Sequence, residues 1–136
     1  MKSSRFQRYS EKIQFIEDRL KNVEIWLKDA ADDEKSKFAV YKCFQEAVEG
    51  ITDVFSMILK DEKRIVKDDY MNFEEIRKLK ILDSSLKSSI TEANGLRNRL
   101  VHEYNGISDA IALDSIKDLI DDIYKIIKRV KKWLAK

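Results

Sequence analysis

Apolar residues recur at alternating intervals of three and four along most of the chain, and no proline interrupts them. That period matches the 3.6-residue turn of an α-helix and gives the apolar face of a β-strand no register. Between residues 4 and 29 the stripe runs Phe6, Tyr9, Ile13, Ile16, Leu20, Val23 and Leu27, with charged residues on the remaining faces. The pattern predicts a surface helix with one packed side. Ala30 to Glu34 breaks the stripe, and Asp32 or Asp33 can cap the helix that follows. Tyr41, Phe44, Val48, Ile51, Phe55 and Ile58 then form a second stripe, widened by a row at Val40, Ala47 and Val54. A helix with so broad an apolar face is expected to lie centrally and touch neighbours on two sides.

From Lys60 to Asp69 charges dominate and the apolar period fades, and the chain must turn there without Gly or Pro. A connection leading into a short helix near residues 72–80 is the expectation. Leu82, Leu86, Ile90, Ala93, Leu96 and Leu100 restore the period, until Asn105-Gly106 supplies a left-handed stop and Ser108 or Asp109 restarts a helix. Ile116, Ile120, Ile123, Ile127, Val130 and Leu134 complete the last helix, with Leu119, Ile126 and Trp133 widening its apolar side. Three glycines in 136 residues and 38% charged residues leave little room for turn-rich β or collagen-like classes. The length suits one core. The expectation is therefore all-α: residues 1–136 as a single domain, an antiparallel up-and-down bundle of four long helices plus one short helix.

Lys and Arg number 27 against 25 Asp and Glu, a net charge of +2, so no general cationic field attracts nucleic acid. Residues 117–136 hold a local excess of Lys and Arg, which complements the dipole of a helix C-terminus or forms an RNA- or partner-facing patch. The lone Cys43 has no partner for an internal disulfide and reads as core. No run approaches 18 apolar residues and no apolar leader opens the chain, so a cytoplasmic protein with no membrane contact, metal or cofactor is expected. Trp26 and Trp133 read as packing anchors, and Gln45, Glu49 and Asp53 as a polar ridge beside the second stripe.

The segment Arg97-Asn98-Arg99-Leu100-Val101-His102-Glu103-Tyr104 holds the only histidine of the chain. Histidine titrates near neutral pH and can move a proton, whereas arginine stays charged and can grip a phosphate with two prongs. That pair suffices for metal-free RNA cleavage: a base takes the 2′-OH proton, the oxygen attacks the adjacent phosphorus in line, and a cation stabilises the charge that develops. On one ideal helix, however, five residues turn through about 500°, leaving Arg97 and His102 about 140° apart, while Tyr104 returns close to the Arg97 face. A two-fold dimer through this helix would let the arginine of one copy meet the histidine of the other. The small residues Ala93, Asn94 and Gly95 suggest where a second helix could approach. The competing reading has His102 capping the end of its own helix and Arg97 paired with a nearby acid.

Arg97, four intervening residues, His102, Glu103 and Tyr104, followed by Asn105-Gly106-Ile107-Ser108, resemble the RX4HXY motif of the HepT family, a branch of the HEPN superfamily. The order of helices resembles that family along nearly the whole chain. The resemblance implies an all-α homodimer that acts as a metal-independent ribonuclease toxin on RNA, with tRNA a candidate substrate. It implies control by a minimal nucleotidyltransferase (MNT) antitoxin. Carried over by position, Arg97 and His102 would be catalytic, Asn98 would support them, and Tyr104 would be the tyrosine that the antitoxin modifies with AMP. Some family members are described instead as substrate-binding partners of nucleotidyltransferases, which leaves a non-catalytic docking module as the alternative.

Overall fold

Four side chains start four of the helices. In the computed structural model, which describes residues 1–102 and 108–136, Asp33 accepts a hydrogen bond from the Ser36 backbone N–H and Asp68 from that of Met71. Asp83 accepts from Leu86 and Ser108 from Ile111 in the same way. Each bond satisfies an amide that the helix itself cannot, and each contributes about 1 kcal/mol. The helices are α1 (Ser3–Leu27), α2 (Glu34–Asp61), α3 (Asp69–Lys78), α4 (Ser84–His102) and α5 (Asp109–Leu134). Among the described residues every regular element is a helix, and the antiparallel bundle of four long helices plus one short one is as expected. No described helix is long and apolar enough to cross a membrane.

The two expected rows of α2 are both inside: Val40, Phe44, Ala47, Val48, Ile51, Phe55 and Ile58 are all 2% exposed or less. α2 packs against α1, α3 and α4. The α1 stripe from Tyr9 to Val23 is buried as expected, but Phe6 is 47% exposed because the bundle closes only at Tyr9. There the buried Tyr9 ring meets Trp133 of α5 edge-on at 5.5 Å, and its hydroxyl donates to Asp61 of α2. Arg5 pairs with the same carboxylate at 3.1 Å, and the Trp133 indole N–H donates to Glu62 at 3.1 Å. These contacts fix the starts of α1 and the ends of α2 and α5 at one end of the bundle. Trp133 is thus an anchor, whereas Trp26 is 43% exposed.

The glycine-free turns are made by lysine. Lys63 and Lys80 sit in the left-handed region at φ 57° and 64°. In each case the next residue's N–H reaches back five positions, Arg64 to Leu59 and Ile81 to Ile76, closing the helix end in the way glycine usually does. The first turn lets residues 62–68 run beside the bundle, and α3 begins at Asp69, three residues earlier than the apolar period predicts, because Asp68 caps it. Phe73 then packs edge-on against Phe55 of α2 at 5.8 Å, seating α3 on the central helix.

α1 and α2 approach closely at Gly50. A Cβ added at Gly50 would stand 2.6 Å from Cγ1 of Ile16, a side chain with no exposure. Gly50→Ala should gain about 1 kcal/mol of helix propensity and lose about 1–3 kcal/mol to overpacking. The expected outcome is net destabilisation, read as a lower melting temperature by circular dichroism. A variant that melts higher than wild type would mean that α1 can move away at little cost.

Candidate active site

Arg97 and His102 share α4 but not a face. Arg97 turns toward the start of α3, with 18% of its side chain exposed, while His102 ends the helix and is exposed. No hydrogen bond or ion pair joins them among the described residues, as the 140° offset requires. Glu103, Tyr104, Asn105, Gly106 and Ile107 lie outside the described residues, so the expected Asn105-Gly106 stop and the modification candidate Tyr104 carry no structural account. Helix α5 restarts with Ser108 as its cap.

The guanidinium of Arg97 is held from two elements. Its Nη2 donates to the Asn98 side-chain oxygen at 3.1 Å and to Oδ2 of Asp69, on the first turn of α3, at 3.5 Å. The same Oδ2 accepts from Nδ2 of Asn94 at 3.4 Å. Asn94 is completely buried, and among the described residues both its Oδ1 and Nε of Arg97 are buried without a hydrogen-bond partner. Each such group costs about 1–3 kcal/mol. Two of them within one turn of α4 mark a place where the fold is not arranged for stability alone.

Asp69 and Asn94 are the site residues that sequence reasoning missed. Asp69 lies 28 positions from Arg97, and no spacing rule links them; only the general idea that an acid would pair with Arg97 anticipates the contact. Asn94 looked like a small residue open to a second helix. The structure corrects that reading: Ala93 and Asn94 are both 0% exposed, turned toward the core and α3, and of the three small residues only Gly95, half-buried, reaches the surface. A Cβ on Gly95 would meet only the tip of Arg99, at 3.7 Å.

The outward face of α4 is nevertheless lined by small side chains. Ser84, Ser88, Thr91, Gly95, Asn98 and His102 follow one another at intervals of four and three, and all are exposed or half-buried. This is the spacing that a helix offers to a second helix crossing at a shallow angle. Val101 on α4 and Tyr70 and Met71 at the start of α3 add apolar side chains that are 52%, 46% and 49% exposed. Of the polar ridge on α2, Asp53 pairs with Lys12 of α1 at 3.3 Å, a helix-to-helix role away from the site. Among the described residues no three His, Cys, Asp or Glu side chains are grouped so as to hold a metal.

With this geometry in place, the comparisons with known proteins carry weight. Residues 9–130 match the family described as "Ribonuclease HepT-like". A relative from Archaeoglobus fulgidus named "Putative RNase" is 33% identical over 97% of both chains, and a second of the same name and organism is 30% identical over 93% of this chain and 94% of that one. The chain belongs to the HepT-like ribonuclease family. The fold also superposes on a tri-AMPylated Shewanella oneidensis HEPN toxin solved in complex with an MNT antitoxin, with a TM-score of 0.85, 18% identity and coverage of 97% of this chain and 99% of that one.

On the flank of the site, Asp109 of α5 accepts from Lys37 at 2.8 Å and from the Tyr41 hydroxyl at 2.6 Å, tying the start of α5 to α2. The bond from Lys37, then that from Tyr41, holds the Asp109 carboxyl below its ordinary range. A depressed folded-state pKa stabilises the fold above the ordinary unfolded value, about pH 4, and that contribution is lost as pH falls through the folded value. Asp109→Asn should therefore flatten the melting-temperature profile below about pH 4. A profile as steep as wild type would assign that acid sensitivity to other carboxylates.

Proposed function

We propose that this protein is a metal-independent endoribonuclease, the toxin of a HepT/MNT pair, and that it acts as a homodimer in which Arg97 of one copy and His102 of the other share each active site. The observation that carries the reading is the placement of Arg97: a nearly buried, tethered arginine turned away from the exposed histidine of its own chain. In the proposed reaction His102 takes the proton of a ribose 2′-OH, and the resulting oxygen attacks the adjacent phosphorus. The P–O5′ bond breaks, leaving a 2′,3′-cyclic phosphate and a 5′-OH that receives a proton from the imidazolium or water. Arg97 stabilises the phosphorane oxygens, and Asn98, which accepts from Nη2, supports Arg97.

The small-residue seam of α4 and the exposed Val101, Tyr70 and Met71 support a dimer built on this face. The resemblance to a tri-AMPylated toxin in complex with its antitoxin supports Tyr104 as the residue to be modified by a partner nucleotidyltransferase. An anionic adduct beside Arg97 would take the place of the substrate phosphate and repel the RNA backbone.

Light scattering should give twice the 16.0 kDa chain mass. Gly95→Leu should give a folded monomer, since a Cβ there meets only the movable tip of Arg99 within the chain while the larger side chain blocks the seam. A dimer retained by that variant would place the interface elsewhere.

Arg97→Ala and His102→Ala should each lower cleavage of tRNA in EDTA by about 10²–10⁴. Mixing the two inactive variants should restore about a quarter of wild-type activity, because half of the reassorted dimers are mixed and each of those has one intact site. Recovery that fails although mixed dimers form would refute the shared site. Full cleavage by both folded single variants would favour the docking module that serves a nucleotidyltransferase. Circular dichroism melts should accompany these assays, because Arg97 is less free of the core than its position near a helix end suggests.

A further inference from the structure

We infer that Asp69 is a positioning residue for Arg97, holding the guanidinium so that its free edge is aimed before substrate arrives. The inference rests on the reading of Arg97 as the group that meets the scissile phosphate.

Asn72 is buried and clasps Lys67 in both directions, accepting from the Lys67 N–H at 2.7 Å and donating to the Lys67 carbonyl at 3.0 Å. With Lys67 fixed and Asp68 capping the helix, Asp69 is carried to the face of α4, where its Oδ2 lies between Asn94 and Arg97. The two hydrogens of Nη2 are then directed at Asp69 and Asn98, and Nε is buried. Among the described residues Nη1 has no hydrogen bond, so it is the part of the fork left for a phosphate oxygen. An unrestrained arginine would sample many rotamers, whereas one gripped at Nη2 presents Nη1 in one direction.

Two observations set this contact apart from a structural ion pair. α3 is already attached to α4 by Glu74, which takes Lys87 at 3.2 Å, and to α2 by the Phe73–Phe55 contact, so Asp69 is not needed to dock it. Asn94, which shares the Asp69 oxygen, is wholly buried with its own oxygen unpartnered, an arrangement that stability alone would not retain.

The test uses the purified full chain, expressed without a nucleotidyltransferase, and total tRNA as substrate in EDTA. Asp69→Ala and Asp69→Ser, which keep a good helix-starting residue but cannot reach Arg97, should each lower kcat about 10- to 100-fold with KM changed by less than about threefold. Asp69→Asn, whose amide oxygen can accept the same hydrogen bonds, should recover most of the loss. Glu74→Gln, which weakens the other α3–α4 tie, should cleave at the wild-type rate. If Asp69→Ala and Asp69→Ser turn over like wild type while Arg97→Ala is inactive, the positioning role is refuted and the ribonuclease reading stands. If Glu74→Gln loses as much kcat as Asp69→Ala, the effect is general docking of α3 and the inference also fails. Full activity in Arg97→Ala would remove both readings together.

Discussion

The burial of α2 on three sides is the constraint from which the rest of the bundle follows. A helix with 14 buried residues among 28 cannot satisfy its apolar surface against one partner, so α1, α3 and α4 must each meet a different part of it. α1 approaches so closely that a Cβ at position 50 would crowd Ile16, so α1 and α2 form a tightly packed pair. α5 closes the remaining gap, holding α4 through Ser89–Asp122 at 2.6 Å and α1 through Lys131–Glu17 at 2.9 Å. The candidate site is built where α3 and the end of α4, both packed on α2, meet each other.

The sequence is legible where one physical rule dominates. Burial of a helical stripe imposes a period, so the apolar positions from Tyr9 to Val23, both rows of α2 and most of α5 could be read directly. Capping is legible for a similar reason: an Asp or Ser before a helix offers an acceptor to amides three residues on, and Asp33 and Ser108 do this. The start of α3 was less legible because its cap, Asp68, stands in a run of charges where several residues could have served. Lys63 and Lys80 show the limit of turn rules, since the backbone bonds that close these helix ends outweigh the modest strain of a left-handed lysine.

The candidate site divides in the same way. Arg97, Asn98, His102 and Tyr104 stand out because they form a local motif with a resemblance behind it. Asp69 and Asn94 do not, because a polar contact across 25 or 28 residues depends on how two helices are placed, which no local period encodes. Asn94 was misread for a related reason. On a helix, 93, 94 and 95 point in three directions about 100° apart, so three adjacent small residues cannot all serve one interface. The pattern that lines an interface-like face is the longer one, Ser84, Ser88, Thr91, Gly95, Asn98 and His102, which hides in the sequence because its members differ in chemistry and share only their exposure and spacing.

The spacing of the motif itself has a physical consequence. Were the arginine and histidine four residues apart, they would stand about 40° apart, and one side of α4 would have to both grip α3 and face outward. At five residues, about 140° separates them: the arginine can lean on Asp69 inside its own chain while the histidine stands clear of it. The arrangement separates what must be rigid from what must be reached. Rigidity falls on Arg97, whose charge the proposed reaction would need aimed, and which sits beside two buried atoms, its own Nε and Asn94 Oδ1, that have no partner among the described residues. Access falls on His102, which lies on the last turn of the helix, on the same face as Gly95 and Asn98, where the proposed proton transfer would need it. In the proposed dimer, a second helix docking on that face would bring its own arginine to this histidine without moving the contacts that hold Arg97.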